Sequence, residues 1–247
     1  MSVSVSVIVP CYNVAAYLDQ CMESLTGQSM EDIEIICVND GSSDRTAEIL
    51  REWRNRDRRV RIIDQKNSGV SAARNSGMEA AAGTYIGFVD PDDMVERNMF
   101  QRLFTAAAEK DADVAVCGYH EFCDRGDMDM PESGWSPSAG FFPEEKAERF
   151  RRGTPWSRCA GTVWNKLIRR KLLAFHSRIA PGTGSVFLFD AVDFCSAAPD
   201  PSRPVVPLSA GTPRILHLRA GSPSEGFPHG FDGHGSSGAF LGGAGAA

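Results

Sequence analysis

A chain of 247 residues, 42% hydrophobic and 23% charged, can bury a sizeable core as one large domain and is too ordinary in composition for a fibrous or wholly disordered protein. Its formal net charge is −6, and the only basic stretch that stands out is 51–61, which argues against nucleic acid as a main partner. Seven cysteines (Cys11, Cys21, Cys37, Cys117, Cys123, Cys159 and Cys195) make no CxxC pair, so buried free thiols in a reducing compartment are expected rather than a zinc site.

Taken in chain order, Val3, Val5, Val7, Ile8 and Val9 predict a strand buried on both faces. No signal peptide is expected before it, and no apolar run approaches the ~20 residues of a membrane span. A cytoplasmic location, or a peripheral one at the inner membrane, follows as the expectation. Leu18, Cys21, Met22 and Leu25 recur at helical spacing. Residues 33–38 predict a second strand, and Ser43 or Asp44 caps a helix with Thr46, Ile49, Leu50 and Trp53 on its apolar face. Strands at 60–63, 85–89 and 114–117 then alternate with helices at 70–82 and around Phe100, Leu103, Phe104 and Ala107.

This alternation predicts an α/β fold with a mostly parallel sheet and helices on both faces. Ligands of such sheets bind beyond the carboxyl ends of the strands. The residues there are 10–13, 39–44, 64–69 and 90–93, all polar, acidic or turn-forming. Further on, residues 121–140 read as an acidic loop or lid, 143–152 as a short charged helix, and 163–175 as a helix carrying Trp164, Leu167, Ile168, Leu172 and Phe175. Residues 186–195 form an apolar run. From about Ala197 the composition changes: 197–247 hold seven of 14 prolines and ten of 24 glycines, and most of the segment reads as disordered. His217, His229 and His234 in that segment have no compact metal spacing.

Two clusters carry candidate chemistry. Asp90-Pro91-Asp92-Asp93 sets three carboxylates within four residues after a buried strand. A hard divalent cation would offset their repulsion and leave coordination places for phosphate oxygens; a solvated acidic turn capping the next helix is the alternative. Asn39-Asp40-Gly41-Ser42-Ser43-Asp44 places a carboxylate at a strand end, where it either accepts from a ribose or base edge or simply completes a strand-to-helix turn. Arg74 either grips a phosphate bidentately or pairs with one of the aspartates. No GxGxxG follows a predicted strand, and GxxxxGK[ST], HExxH and GxSxG patterns are absent.

Four segments together resemble family 2 glycosyltransferases: Val5-Ser6-Val7-Ile8-Val9-Pro10-Cys11-Tyr12-Asn13, Val38-Asn39-Asp40-Gly41-Ser42-Ser43-Asp44, Asn67-Ser68-Gly69-Val70-Ser71-Ala72-Ala73-Arg74-Asn75 and Phe88-Val89-Asp90-Pro91-Asp92-Asp93. The match is strong to about Cys117, and weaker through Trp164-Asn165-Lys166-Leu167 to about Cys195. The resemblance implies a GT-A (Rossmann-like) fold and a nucleotide-sugar donor, commonly a UDP-sugar. Residues 1–120 would form the donor-binding half and 121–196 the acceptor-side half, followed by the Pro/Gly-rich tail 197–247. Pro10, Tyr12 and Asn13 would line the nucleotide pocket, Asp40 would contact base or ribose, and Arg74 would lie near the diphosphate or base. Asp90 and Asp92 would be the D-x-D pair holding Mg²⁺ or Mn²⁺, with Asp92 the direct ligand. Trp164 and Lys166 would border the sugar or acceptor. The reaction implied is inverting sugar transfer to a growing polysaccharide, a lipid-linked glycan or a cell-surface acceptor, as in bacterial cell-wall and polysaccharide biosynthesis.

The chain departs from the family at one point. Family members carry a Glu-Asp pair before a late apolar helix, and its Asp is the general base. Here the stretch reads Pro181-Gly182-Thr183-Gly184-Ser185-Val186-Phe187-Leu188-Phe189, with no carboxylate. Asp190 follows about six residues too late, roughly 9 Å along a helix, whereas a base must reach its proton within about 3 Å or through one water. The catalytic base is therefore unassigned, and a donor-binding protein impaired in transfer is the alternative function.

Overall fold

The computed structural model describes residues 3–123, 133–135, 163–176, 205–207 and 214–219. The first half follows the expected alternation: β1 (Val5–Cys11), α1 (Leu18–Thr26), β2 (Ile33–Asp40), α2 (Thr46–Arg56), β3 (Val60–Gln65), α3 (Val70–Ala80), β4 (Tyr85–Phe88), β5 (Met94–Val95) and α4 (Met99–Glu109). Then come β6 (Val114–Val116), β7 (Gly118–Cys123), β8 (Ser133–Trp135), β9 (Lys166–Arg169), α5 (Arg170–His176), β10 (Val205–Pro207) and β11 (Arg214–Arg219).

Seven strands form the main sheet in the order β10-β6-β9-β4-β1-β2-β3. β1 lies at its centre, paired in parallel with β2 and β4, and all seven of its residues are buried. β9 is the one reversed strand, antiparallel to both β4 and β6. The pleat sorts side chains into two layers. Val5, Val7, Val9 and Cys11 point to one face, where α1, α2 and α4 contribute Leu18, Met22, Leu25, Ile49, Leu50, Phe100 and Leu103. Ile8, Ile36 and Val38 point to the other, where α3 and α5 bring Ala73, Leu172 and Leu173. Helices on both faces of a mostly parallel sheet confirm the expected architecture.

On the second face α3 comes very close. A Cβ added at Gly77 would overlap Ile8 Cγ2 and lie 3.1 Å from Ile8 Cγ1, so only glycine fits there. At the opposite, amino-terminal edge of the sheet, Glu34 ties three elements together. Its carboxylate accepts from the Ser6 hydroxyl at 2.6 Å, the Ala82 N–H at 2.7 Å and Arg61 Nη1 at 2.6 Å. Burial alone would raise this carboxyl, but the three donors outweigh it and hold Glu34 below the usual glutamate range.

Two expectations are corrected. Residues 163–175 are not one helix: a turn leads into the buried strand β9, and α5 begins only at Arg170. The apolar spacing that reads as helical belongs to a short central strand followed directly by a helix. The loop expected at 121–140 contains paired strand, because β8 lies antiparallel to β7 with Tyr119 opposite Trp135. Within 197–247, expected to be mostly disordered, the described residues 205–207 form β10 beside β6 in the main sheet and 214–219 form β11 in a four-stranded sheet of order β5-β11-β7-β8. Val205-Val206 and Ile215-Leu216-His217-Leu218 are local apolar runs inside a Pro/Gly-rich average. The expected helix at 143–152, the apolar run at 186–195, the departure at 181–189 and the rest of 197–247 lie outside the described residues.

Candidate functional site

β1, β2, β3, β4 and β6 all end at one edge of the main sheet, and the reversed β9 begins there, with Lys166 opposite Val116 and Leu167 opposite Gly87. This edge therefore collects every residue expected in the site.

Pro10 is buried near the end of β1, opposite Val38 and beyond the last β1–β4 pair, Ile8 with Phe88. Tyr12 is half-buried just past it. Asn13 turns the chain with a φ of 52°, a left-handed conformation that asparagine tolerates. Its Oδ1 accepts from the N–H groups of Ser43 (2.8 Å) and Asp44 (3.4 Å), while its own N–H donates to Ser42 Oγ at 3.1 Å. Asp44 completes the junction by accepting from the N–H groups of Ala15 (3.1 Å) and Thr46 (3.0 Å), the latter at the start of α2 as expected for a cap. Burial would raise the Asp44 carboxyl, yet hydrogen bonds from Thr46 and Ala15 hold it below the usual range. Asn13 is thus a brace between two loops as well as a pocket candidate.

Asp40, the last residue of β2, is only 2% exposed. It accepts from Gln65 Nε2 and the Ser68 N–H on Oδ1, and from the Gly69 N–H on Oδ2, at 2.7, 2.9 and 2.8 Å. Gly41 follows with a φ of 73°, and a Cβ there would sit 2.7 Å from the Asn67 N. The turn needs glycine because the loop after β3 crosses directly over it.

Arg74 projects from the buried side of α3. Its side chain is 3% exposed, and Nη2 donates to Asp90 Oδ1 at 2.6 Å across the gap between α3 and the β4 end. Nε and Nη1 of the same guanidinium are buried and have no acceptor among the described residues. Buried donors without partners cost about 1–3 kcal/mol each, more when charged, so a ligand that brings acceptors to them would offset that cost.

Asp90 opens a tight turn closed by the Asp93 N–H donating to the Asp90 carbonyl at 3.0 Å. Asp92 is half-buried on this turn and Asp93 is fully buried. The Cys21 thiol supports the turn from below, reaching the Asp90 carbonyl at 3.7 Å, and burial pushes that thiol well up. No group of three His, Cys, Asp or Glu side chains among the described residues is arranged to hold a metal by itself. Asp90 and Asp92 offer carboxylate oxygens suited to a hard cation that draws its remaining ligands from water and substrate phosphate.

Across the β4 end, Trp164 packs edge-to-face on Tyr119 with ring centroids 4.9 Å apart. Asn165 is fully buried, donating from Nδ2 to the Cys117 carbonyl at 3.1 Å and accepting from Lys166 Nζ at 2.8 Å. Lys166 was expected to border substrate; its ammonium is buried and held by Asn165. Gln65 and Ser76 were not singled out in the sequence, since a strand-terminal glutamine and a helical serine match no motif.

An open, mostly parallel sheet with a D-x-D turn after its fourth strand and a polar carboxyl edge defines a GT-A-type fold. The family model for Glycosyl transferase family 2 matches residues 6–177, and the chain belongs to that family. It is 43% identical over 169 residues to the uncharacterized glycosyltransferase EpsJ of Bacillus subtilis, covering 68% of this chain and 48% of that one. It is 31% identical over 177 residues to the cholesterol galactosyltransferase of Borreliella burgdorferi, covering 68% of this chain and 49% of that one. The chain thus spans about half the length of these relatives. In fold it is similar to Staphylococcus aureus TarS in complex with UDP-GlcNAc, at a TM-score of 0.68 and 22% identity over 89% of this chain and 59% of that one. It is also similar to the mannosyltransferase PcManGT of Pyrobaculum calidifontis in complex with GDP-Man and Mn²⁺, at a TM-score of 0.60 and 15% identity over 92% of this chain and 59% of that one. Among the described residues no helix is long and apolar enough to cross a membrane.

Proposed function

We propose that the chain binds a nucleotide-sugar, a UDP-sugar, at the carboxyl edge of the main sheet and transfers its sugar, with inversion, to a glycan, lipid or cell-surface hydroxyl. The observation that carries the reading is Arg74: a buried cation with two unfilled donor nitrogens, anchored to the first aspartate of a D-x-D turn. A diphosphate or a base carbonyl supplies the acceptors it lacks.

In this reading Pro10, Tyr12 and Asn13 line the nucleotide pocket and Asp40 meets the base or ribose. Asp90 and Asp92 would hold Mg²⁺ or Mn²⁺, which neutralises charge on the departing diphosphate. Trp164 and Lys166 border the sugar, Lys166 acting from its seat on Asn165. The acceptor oxygen bonds to the anomeric carbon as the bond to the diphosphate breaks, and a base removes the hydroxyl proton. Residues 1–120 serve as the donor half and 121–196 as the acceptor-side half. Titration of UDP-GlcNAc and UDP-glucose with and without Mn²⁺ tests donor binding; no metal-dependent binding of any nucleotide-sugar would sink the reading.

A second reading, donor binding with impaired transfer, is favoured by the absence of Asp or Glu from residues 181–189. Loss of a general base typically removes about 10²–10⁴-fold in rate. UDP release in the presence of acceptor extracts separates the two. Inserting Glu-Asp between Gly184 and Ser185 raises turnover if the missing carboxylate is the defect.

A further inference from the structure

At the ends of β2 and β3 one carboxylate gathers three donors, and one of them is a side chain that is itself held. Gln65 Nε2 donates to Asp40 Oδ1 at 2.7 Å, and Gln65 Oε1 accepts from the Ser76 hydroxyl at 2.6 Å. An amide has one donor end and one acceptor end. Reversing it would set Oε1 against the Asp40 carboxylate, so Asp40 fixes its sense and Ser76, from α3, fills its other end. The backbone N–H groups of Ser68 and Gly69 complete the set on Asp40. A carboxylate has about four lone-pair sites, and three are filled here.

We propose that Gln65, backed by Ser76, is a positioning residue that sets base selectivity by aiming the remaining acceptor site of Asp40 into the nucleotide pocket. The inference rests on the nucleotide-sugar reading above. A fixed acceptor admits a partner that presents N–H and rejects one that presents a bare acceptor. Uracil carries N3–H on its pairing edge, where cytosine carries an unprotonated N3. Selectivity of this kind comes as much from the mismatch left with the wrong base as from the bond made with the right one. Without Gln65, Asp40 keeps only donors from the loop that follows β3. Its carboxylate then rotates more freely, and the distinction between the two bases weakens.

The test is the ratio of Kd values for CDP and UDP, measured with Mn²⁺ on the full chain. Wild type is expected to favour UDP by about tenfold or more, the scale of one charge-assisted hydrogen bond. Gln65→Leu brings the ratio to within about threefold, mainly by weakening UDP. Gln65→Glu, which sets a second carboxylate against Asp40, lowers it further. In an Asp40→Asn background Gln65→Leu has no additional effect, because the glutamine acts only through Asp40. Ser76→Ala keeps Gln65 in place and gives an intermediate ratio, and it carries the same test where Gln65→Leu does not fold. Equal weakening of UDP and CDP, an unchanged ratio in folded variants, or a wild type without base preference overturns the inference. A wild type that binds neither nucleotide overturns the nucleotide-sugar reading first, and this inference with it.

Discussion

Arg74 and Asp90 join two elements that the chain keeps apart. Nη2 of the arginine, on the helix after β3, donates at 2.6 Å to the aspartate that begins the turn after β4. The pair is asymmetric, since Arg74 is 3% exposed and Asp90 22%. Water thus reaches the carboxylate far more readily than the guanidinium, whose other two nitrogens find no acceptor among the described residues. Such an arrangement costs the ligand-free protein stability and is relieved by an anionic or carbonyl ligand.

Replacing Arg74 with methionine therefore separates binding from folding. The apolar side chain fills much of the space and removes the orphaned donors, while Asp90 keeps its solvent. Ligand-free stability is expected to change by no more than about 1 kcal/mol, read by urea unfolding. UDP-sugar affinity is expected to fall about a hundredfold, the scale of one or two hydrogen bonds to a charged group, read by calorimetric titration. A large loss of stability at unchanged affinity per folded molecule would make Arg74 a structural residue only.

Asp92→Asn addresses the proposed metal. The amide keeps the size and turn geometry of the aspartate but gives a hard cation a neutral oxygen in place of a charged one. Nucleotide-sugar affinity with Mn²⁺ present should drop to the value that wild type has in EDTA, and EDTA should then have no further effect on the variant. Titrations with and without the ion check this; a variant that still gains affinity from Mn²⁺ rules out Asp92 as a direct ligand.

Much of the donor edge is legible in the sequence because its residues are consecutive in short runs after strongly apolar strands. Val5, Val7 and Val9 mark β1 unmistakably, and the polar Asn13, Asp40 and Asp90 then fall where an open sheet exposes its strand ends. β9 was not legible. Lys166-Leu167-Ile168-Arg169 is a four-residue strand, apolar only at Leu167 and Ile168, that flows directly into a helix, and in that length a buried strand and a helical turn look alike. Its neighbours β4 and β6 specify it, through partners fifty or more residues away in sequence. The same holds for Gln65, whose meaning comes from Asp40 and Ser76, each on a different element.

The Glu34 network at the far edge of the sheet makes a pH-dependent prediction. Its folded carboxyl lies below its unfolded value, so the network's stabilisation is fully present above about pH 4.3, the ordinary glutamate value. It is lost as pH falls through the lower folded value. Glu34→Gln keeps the shape but replaces an acceptor of three hydrogen bonds with a group that also carries two donors. Stability at pH 7 should fall by about 1–3 kcal/mol, discounted because Arg61 is half exposed. The gap between variant and wild type should narrow below about pH 4 as the wild-type carboxyl protonates. Urea unfolding at neutral and acid pH measures both; a gap independent of pH would show that the glutamate's charge is not what the network uses.

Gly77→Ala sets helix propensity against packing. Alanine favours an α-helix interior by about 1 kcal/mol over glycine. Here, however, the added methyl would overlap Ile8 Cγ2 and press on Cγ1, on a central strand that cannot move aside because β2 and β4 flank it. Overpacking of this kind typically costs about 1–3 kcal/mol and outweighs the propensity gain. A net loss of up to about 2 kcal/mol is expected. The double variant with Ile8→Ala tests the cause: opening space at Ile8 should relieve the overlap, so the two costs should sum to clearly more than the double variant loses. Strictly additive costs would locate the strain somewhere other than the α3–β1 contact.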